Sequence, residues 1–279
     1  MIIIDGLKEF RAAAERAEAE GSYHAWQTYY QTYKAAFDPL FLSIYKIDRE
    51  QIQQIIQEID FKDLLLRSEK GRSNFQQEQA EKLLTECCLY FGFTEKFSVY
   101  MLTGLGFSDG AAPPSKDPYI FLGLECLEER DPSILIPHEF SHMARFYRLR
   151  EKEDFAGLTV KQLLIAEGLA VWTSLQISGR TEDERWLPNA LMMCQKHYQF
   201  LQLKIGGLHE EIYKDLEAPL DGRMVEKYFT GTETDGRLGY FAGAIIIKRL
   251  MESGMSLKDL TFMETDKILK IWNSLRKHT

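Results

Sequence analysis

The chain has 279 residues, 45% hydrophobic and 27% charged, with a formal net charge of -8 and a pI of about 5.4. A chain of this size and composition buries a sizeable core without disulfides or a structural metal, so a metal here is expected to serve chemistry rather than folding. The acidic balance argues against a general nucleic-acid binder, which carries a basic face or stripe, and no stretch approaches the ~18 apolar residues of a membrane span.

Four cysteines, Cys87, Cys88, Cys126 and Cys194, form no C-x-x-C pair and no disulfide framework. Thiols in a reducing compartment are expected. The apolar run Met1–Ile4 is too short for a signal-peptide core and follows no basic residue. A soluble, cytoplasmic protein is the expectation, with no nucleic acid and no membrane as partner and its oligomeric state open.

In chain order, the first third reads as helical. Asp5 caps a helix that runs to about Glu20 and stops at Gly21, and Ser22 caps the next, which ends before Pro39. Asp48 with Gln51, and Ser73 with Gln76, have the spacing of an N-cap and its N3 partner. The second pair predicts a helix from Asn74 to about Tyr90. Near Phe97 the pattern changes. FSVYMLTG and DPYIFLGLE are rich in β-branched and aromatic residues, and Gly104–Pro118 between them is rich in Gly, Ala, Ser and Pro. Strand, loop, strand is the prediction. From Asp131 helices resume to the end, broken at Gly206-Gly207, Pro219–Gly222 and Gly231–Gly236.

Just after the strands stands DPSILIPHEFSHMARFYRL, with His138-Glu139-Phe140-Ser141-His142 at its centre. Residues four apart share one face of a helix, so two imidazoles converge there on one ion, and Glu139 beside the first of them can reach a water on that ion. Ile134, Leu135, Ile136, Phe140 and Met143 flank the motif, so the helix is largely buried and its polar groups need partners. Pro137 is awkward. If Asp131-Pro132 starts the helix, Pro137 falls inside it and removes one backbone bond, so the helix either begins later or bends.

Three protein ligands and a water make the usual catalytic zinc site. The best third ligand is Glu167 in TVKQLLIAEGLAVW. Thr159 and Gln162 form a capping box for a helix from about Val160 to Ser178, and Glu167 sits in its apolar interior. A carboxylate there needs a strong partner, either a divalent ion or a cation such as Arg145. Gly168 lets this helix approach a neighbour, with the His138 helix the expected one. His197 and His209 compete as third ligand; His24 and His278 lie near the ends.

The two motifs, His138-Glu-Phe-Ser-His142 and Glu167-Gly-Leu-Ala, 25 residues apart, resemble the gluzincins, the thermolysin-like metallopeptidases. With GRLGYFAGAIIIKRLMESGMSLKDL they look more narrowly like an uncharacterised bacterial family of predicted zinc-dependent proteases, over roughly Phe97 to Leu260. The resemblance implies an α+β, mostly helical, zincin-like fold: a small mixed sheet on the active-site helix, with helical N- and C-terminal regions. Residues 1–95 would form a helical N-terminal region and 96–279 the metallohydrolase domain with a helical C-terminal lobe. It also implies an edge strand that holds an extended peptide or protein substrate, by position Phe97–Thr103 or Tyr119–Gly123. One departure stands out. Such families often carry an acidic residue four after the third ligand, where it orients a ligand histidine; here it is Val171, so another group must do this.

The expected chemistry is zinc-assisted peptide hydrolysis. His138, His142 and Glu167 would hold the ion, which acidifies water. Glu139 would take the proton and pass it to the leaving group, and Tyr240 is the candidate donor to the developing oxyanion. The alternative is a catalytically weak or inactive metal-containing protein that binds peptides or regulates.

Overall fold

The computed structural model describes residues 1–181, 184–230 and 237–276. In chain order the elements are β1 (Ile2–Asp5), α1 (Leu7–Glu20), α2 (Ser22–Thr32), α3 (Lys34–Asp38), a π-helical turn Pro39–Ile44, α4 (Arg49–Glu58), α5 (Phe61–Asn74) and α6 (Gln77–Phe91). Then come β2 (Ser98–Leu102), β3 (Gly110–Ala111), β4 (Tyr119–Gly123), α7 (Pro132–Leu149) and α8 (Val160–Ile177). Helices α9 (Leu187–Ala190), α10 (Gln195–Asp215), α11 (Gly222–Val225), α12 (Leu238–Glu252), α13 (Leu257–Thr261) and α14 (Thr265–Arg276) complete the chain. The fold is α+β and mostly helical, as expected. Contacts divide the chain into two compact units, Met1–Cys88 with Phe93–Glu139, and Leu89–Gly92 with Phe140–Thr279, so the division falls within α7.

The first unit holds one four-stranded sheet in the order β1-β2-β4-β3. β1, β2 and β4 run parallel, with Ile3 opposite Val99 and Val99 opposite Ile120, and β3 runs antiparallel to β4. β2 and β4 are the two strands expected from their β-branched and aromatic runs. The other two depart from the sequence reading. Ile2–Asp5, for which no strand was expected, is one because pairing with β2 satisfies a backbone that local sequence leaves open. The segment taken as a loop contains β3.

Phe10, Trp26, Tyr29, Phe37, Phe41 and Phe61 of the N-terminal helices share one core with Leu102, Tyr119 and Phe121 of the sheet region. Several polar groups inside it are bonded, while the buried Trp26 indole N–H has no partner among the described residues. The Thr103 amide donates to the Tyr29 hydroxyl at 2.9 Å, the Thr103 hydroxyl to Ser68 Oγ at 2.9 Å, and the Tyr119 hydroxyl to the Ala36 carbonyl at 2.9 Å. Glu125 is buried too, and its carboxylate accepts the Gly104 and Gly106 amides at 2.9 and 2.8 Å. Burial pushes its pKa up, against the pull of those amides.

Caps decide several boundaries. Asp48 and Gln51 form the expected capping box of α4, and Asp60 Oδ1 accepts the Lys62 and Asp63 amides at the start of α5. Ser73 caps nothing. It lies in the last turn of α5, its hydroxyl donating to the Lys70 carbonyl, and α6 begins only at Gln77. Gly206-Gly207 do not break the chain either, since α10 runs through them. Glycine costs only about 1 kcal/mol relative to alanine in a helix, which a long helix tolerates. The predicted break at Pro219–Gly222 lies between α10 and α11, and the one at Gly231–Gly236 falls outside the described residues.

In the second unit α8 is buried along almost its whole length, and α12 crosses it in close contact. A Cβ on Gly168 would lie 2.3 Å from the Gly243 carbonyl carbon, and one on Gly243 would lie 2.1 Å from the Leu164 carbonyl oxygen. Only glycine fits at either position. The neighbour that Gly168 admits is therefore α12. Trp172 seals the same crossing by donating its indole N–H to the Ala244 carbonyl at 2.7 Å.

Candidate metal centre

Helix α7 starts at Pro132, where Asp131 Oδ1 accepts the Ser133 amide at 2.9 Å, and it runs to Leu149 with Pro137 inside. The delayed start that Pro137 allowed is not used. The helix carries His138 and His142 on one face, four residues apart. Helix α8 opens with Gln162 Oε1 accepting the Thr159 amide at 2.9 Å, the expected cap partner, and presents Glu167 from its interior.

These three side chains come together. One ligand atom from each of His138, His142 and Glu167 lies within 4.8 Å of the others, and all three residues are buried. His142 Nε2 stands 3.3 Å from Glu167 Oε2. Two ligands of a tetrahedral ion at ~2.0–2.1 Å lie about 3.3–3.4 Å apart, so this pair already has the spacing of one edge of such a site. Two imidazoles and a carboxylate are also the donor set of a catalytic zinc centre. The residues fit the ion.

Neighbours set the orientation of the ligands. The Phe146 ring stacks on His142 with centroids 5.8 Å apart and 16° between planes, and Phe146 packs in turn on Phe155. Phe140, on the other side of α7, stacks on Phe91 at 6.0 Å. Thr173 of α8 donates its hydroxyl to Ser141 Oγ at 3.2 Å, a polar link between the two ligand helices. Arg145, the alternative partner for Glu167, is engaged elsewhere. Its guanidinium donates to the carbonyls of Thr261 and Met263, to Thr265 Oγ1 and to Glu153 Oε1. Val171, where an acid was absent from the motif, is a buried core residue.

Glu139 is buried at 5% exposure beside His138, and what covers it is β3. A Cβ built on Gly110 would lie 2.7 Å from Glu139 Cγ, so the strand lies directly on this side chain and a larger residue there would have to displace it. The two strands proposed as the substrate-side edge, Phe97–Thr103 and Tyr119–Gly123, are instead interior, as β2 and β4; the edge beside Glu139 is β3. The Gly123 amide donates to the Asp109 carbonyl at 3.0 Å, with Gly110 opposite Leu122 and Ala111 opposite Phe121. Alternation in an antiparallel ladder then turns the N–H and C=O of Gly110 to the outer side. There Asp109 Oδ1 accepts the N–H at 3.0 Å and the Ser108 hydroxyl donates to the C=O.

Tyr240 stands in the first turn of α12, half-buried, its ring edge-on to Phe229 at 6.1 Å and beneath the Arg237 guanidinium at 5.0 Å. His197 packs its ring on Phe200 in α10 and is not among the converging ligands. The His209 side chain and His278 lie outside the described residues. Sequence reasoning missed Gly110, whose role depends on a two-residue strand, and Tyr45. The Tyr45 hydroxyl is hydrogen-bonded to Ser108, and its pKa is raised first by burial and further by the nearby charges of Glu139 and Asp109.

Residues 114–270, more than half of the chain, match a family model described as a predicted Zn-dependent protease (DUF2268). The chain belongs to this DUF2268 family. The match includes α7, α8 and α12 and therefore the whole His-His-Glu cluster, whose pattern is consistent with a gluzincin. Among curated proteins and solved structures no match is found. The DUF2268 match begins after β3, so Gly110 and the π-helical turn before α4 lie outside it. Among the described residues, no helix is long and apolar enough to cross a membrane.

Proposed function

We propose that this DUF2268 chain is a zinc metallopeptidase in which His138, His142 and Glu167 are the ligands and Glu139 is the general base. The observation that carries the reading is the convergence of the three buried ligand atoms within 4.8 Å, with Glu139 next in sequence to the first of them. Zinc in this site supplies Lewis acidity, lowering the pKa of water toward ~7 and polarising a carbonyl. Glu139 takes the proton of the attacking water and delivers it to the leaving amine, the exchange a carboxylate performs when it lies within reach of both. Gly110, against Glu139, offers its outward N–H and C=O to an extended peptide, which pairs as an added strand once Ser108 and Asp109 release those groups. Tyr240 is retained as the donor to the oxyanion.

The substrate is a peptide or protein segment. Four free thiols support a reducing, cytoplasmic setting. The test pairs two variants. Glu139→Gln is expected to keep about one zinc per chain and to lose cleavage of a peptide library; undiminished cleavage would remove Glu139 from the mechanism. Tyr240→Phe is expected to keep zinc and lose roughly 10²–10³ in kcat; an unchanged kcat would reassign the donor. Val171 in the core favours the second reading, a metal-containing peptide binder with weak turnover. Zinc-loaded wild-type protein with no Glu139-dependent cleavage would decide for it.

A further inference from the structure

A large apolar ring is exposed close to β3 in the chain. Phe107, three residues before Gly110, is 41% exposed, and Leu42 and Ile44 on the π-helical turn are 42% and 40% exposed. Phe107 is held in position. Its ring meets buried Phe41 edge-on at 6.3 Å and Tyr45 at 5.8 Å. Tyr45 is hydrogen-bonded to Ser108, and Ser108 to the Gly110 carbonyl. A continuous set of contacts therefore runs from Phe107 through Tyr45 and Ser108 to the strand that lies on Glu139. A π-helical turn is itself a rare conformation that concentrates at functional sites.

Three residues span at most about 11 Å, so Phe107 lies within about three residues' length of the backbone groups of Gly110. A peptide paired with that edge carries a side chain past Phe107 within the same reach. A solvated polar side chain gains nothing there. An apolar one covers surface on Phe107 that is otherwise in water. The favoured occupant is thus an extended peptide segment, because the exposed Phe107 ring stands three residues from a strand edge whose outward N–H and C=O are bonded to the side chains of Ser108 and Asp109.

We infer that Phe107, seated on Phe41 and Tyr45, forms an apolar subsite that selects peptides with an aromatic or aliphatic residue within about three positions of the scissile bond. The inference rests on the peptidase reading for the words "scissile bond", but not for binding. The probes are short fluorescein-labelled Ala–Gly peptides carrying a single Phe, Leu, Ser or Asp, titrated by anisotropy into the full-length Glu139→Gln protein loaded with zinc. The Phe and Leu peptides are expected to bind roughly tenfold more tightly than the Ser and Asp peptides. Phe107→Ser should erase that difference and Phe107→Leu should keep most of it. Phe107→Gln, which keeps a long side chain over Phe41 and Tyr45 but makes it polar, should likewise erase it and serves if Phe107→Ser does not fold. Equal binding of all four peptides, no binding of any, or undiminished discrimination in Phe107→Ser would overturn the subsite. If the discrimination is present but wild-type protein shows no Glu139-dependent cleavage, the peptidase reading fails and the subsite stands.

Discussion

His142 and Arg145 lie less than one turn apart on α7 and both are buried, yet their surroundings differ in kind. Around Arg145 the chain supplies both signs of charge. Glu153 Oε1 stands 3.3 Å from the guanidinium, two backbone carbonyls and Thr265 Oγ1 accept other protons of its two Nη groups, and Glu153 also accepts from Gln162 and from the Thr265 amide and hydroxyl. Around His142 the converging groups are a second imidazole and a carboxylate, three atoms that each have a lone pair to give. The first cluster is an internal ion pair joining α7, α8 and the segment from α13 to α14, with only the Arg145 Nε–H left without a partner among the described residues. The second has the composition of a coordination shell. A helix this buried can tolerate charge in either way, so burial of a polar residue does not by itself indicate function. What sets the second apart is that three ligand atoms converge within 4.8 Å of one another.

Removing the internal cation should have the largest effect on folding. Arg145→Met strands Glu153 and two carbonyls and is expected to cost about 3–5 kcal/mol in urea denaturation; zinc content per folded chain should not change. A loss below 1 kcal/mol would show that the Arg145 cluster is not a structural ion pair of this kind. Glu167→Ala should do the reverse. The metal-free protein should remain folded, but the stabilisation of ~3–4 kcal/mol that zinc gives at 100–1,000 times its Kd should disappear. Equal zinc stabilisation of wild type and Glu167→Ala would move the third ligand elsewhere, with His209 the first to test. The smallest effect tests the α8–α12 crossing. Gly243→Ala forces a methyl against the Leu164 carbonyl and should cost about 1–3 kcal/mol. Because Gly168 at that crossing adjoins Glu167, zinc affinity should fall as well. A pure stability loss with unchanged affinity would uncouple the crossing from the ligand.

The site was more legible than the fold around it. Histidines at i and i+4 converge whatever the rest of the molecule does, and a carboxylate amid Leu164, Ile165, Leu169 and Val171 stands out by the cost of burying it alone. Local capping likewise spoke through Asp48 with Gln51 and Thr159 with Gln162. The features that escaped notice depend on distant chain. β1 exists because Ile2–Asp5 pairs with Ser98–Met101, and β3 because two residues of a Gly- and Ala-containing loop meet β4. No periodicity of four or two residues announces either. Ser73 failed as a cap because α5 continued past it, and the Gly206-Gly207 pair failed as a break because α10 is long enough to carry it. The same non-locality hides Gly110 over Glu139 and Phe107 beside Tyr45, two contacts that only the folded sheet creates.

The central claim is that His138, His142 and Glu167 together hold zinc, and X-ray absorption at the zinc edge of protein purified without chelator tests it most directly. The account predicts about one zinc per chain, with nitrogen and oxygen neighbours at ~2.0–2.1 Å including two imidazoles, and loss of the ion in His138→Ala, His142→Ala and Glu167→Ala. A metal-free protein, a sulfur shell at ~2.3 Å, or an unaltered spectrum in any of the three variants would contradict it.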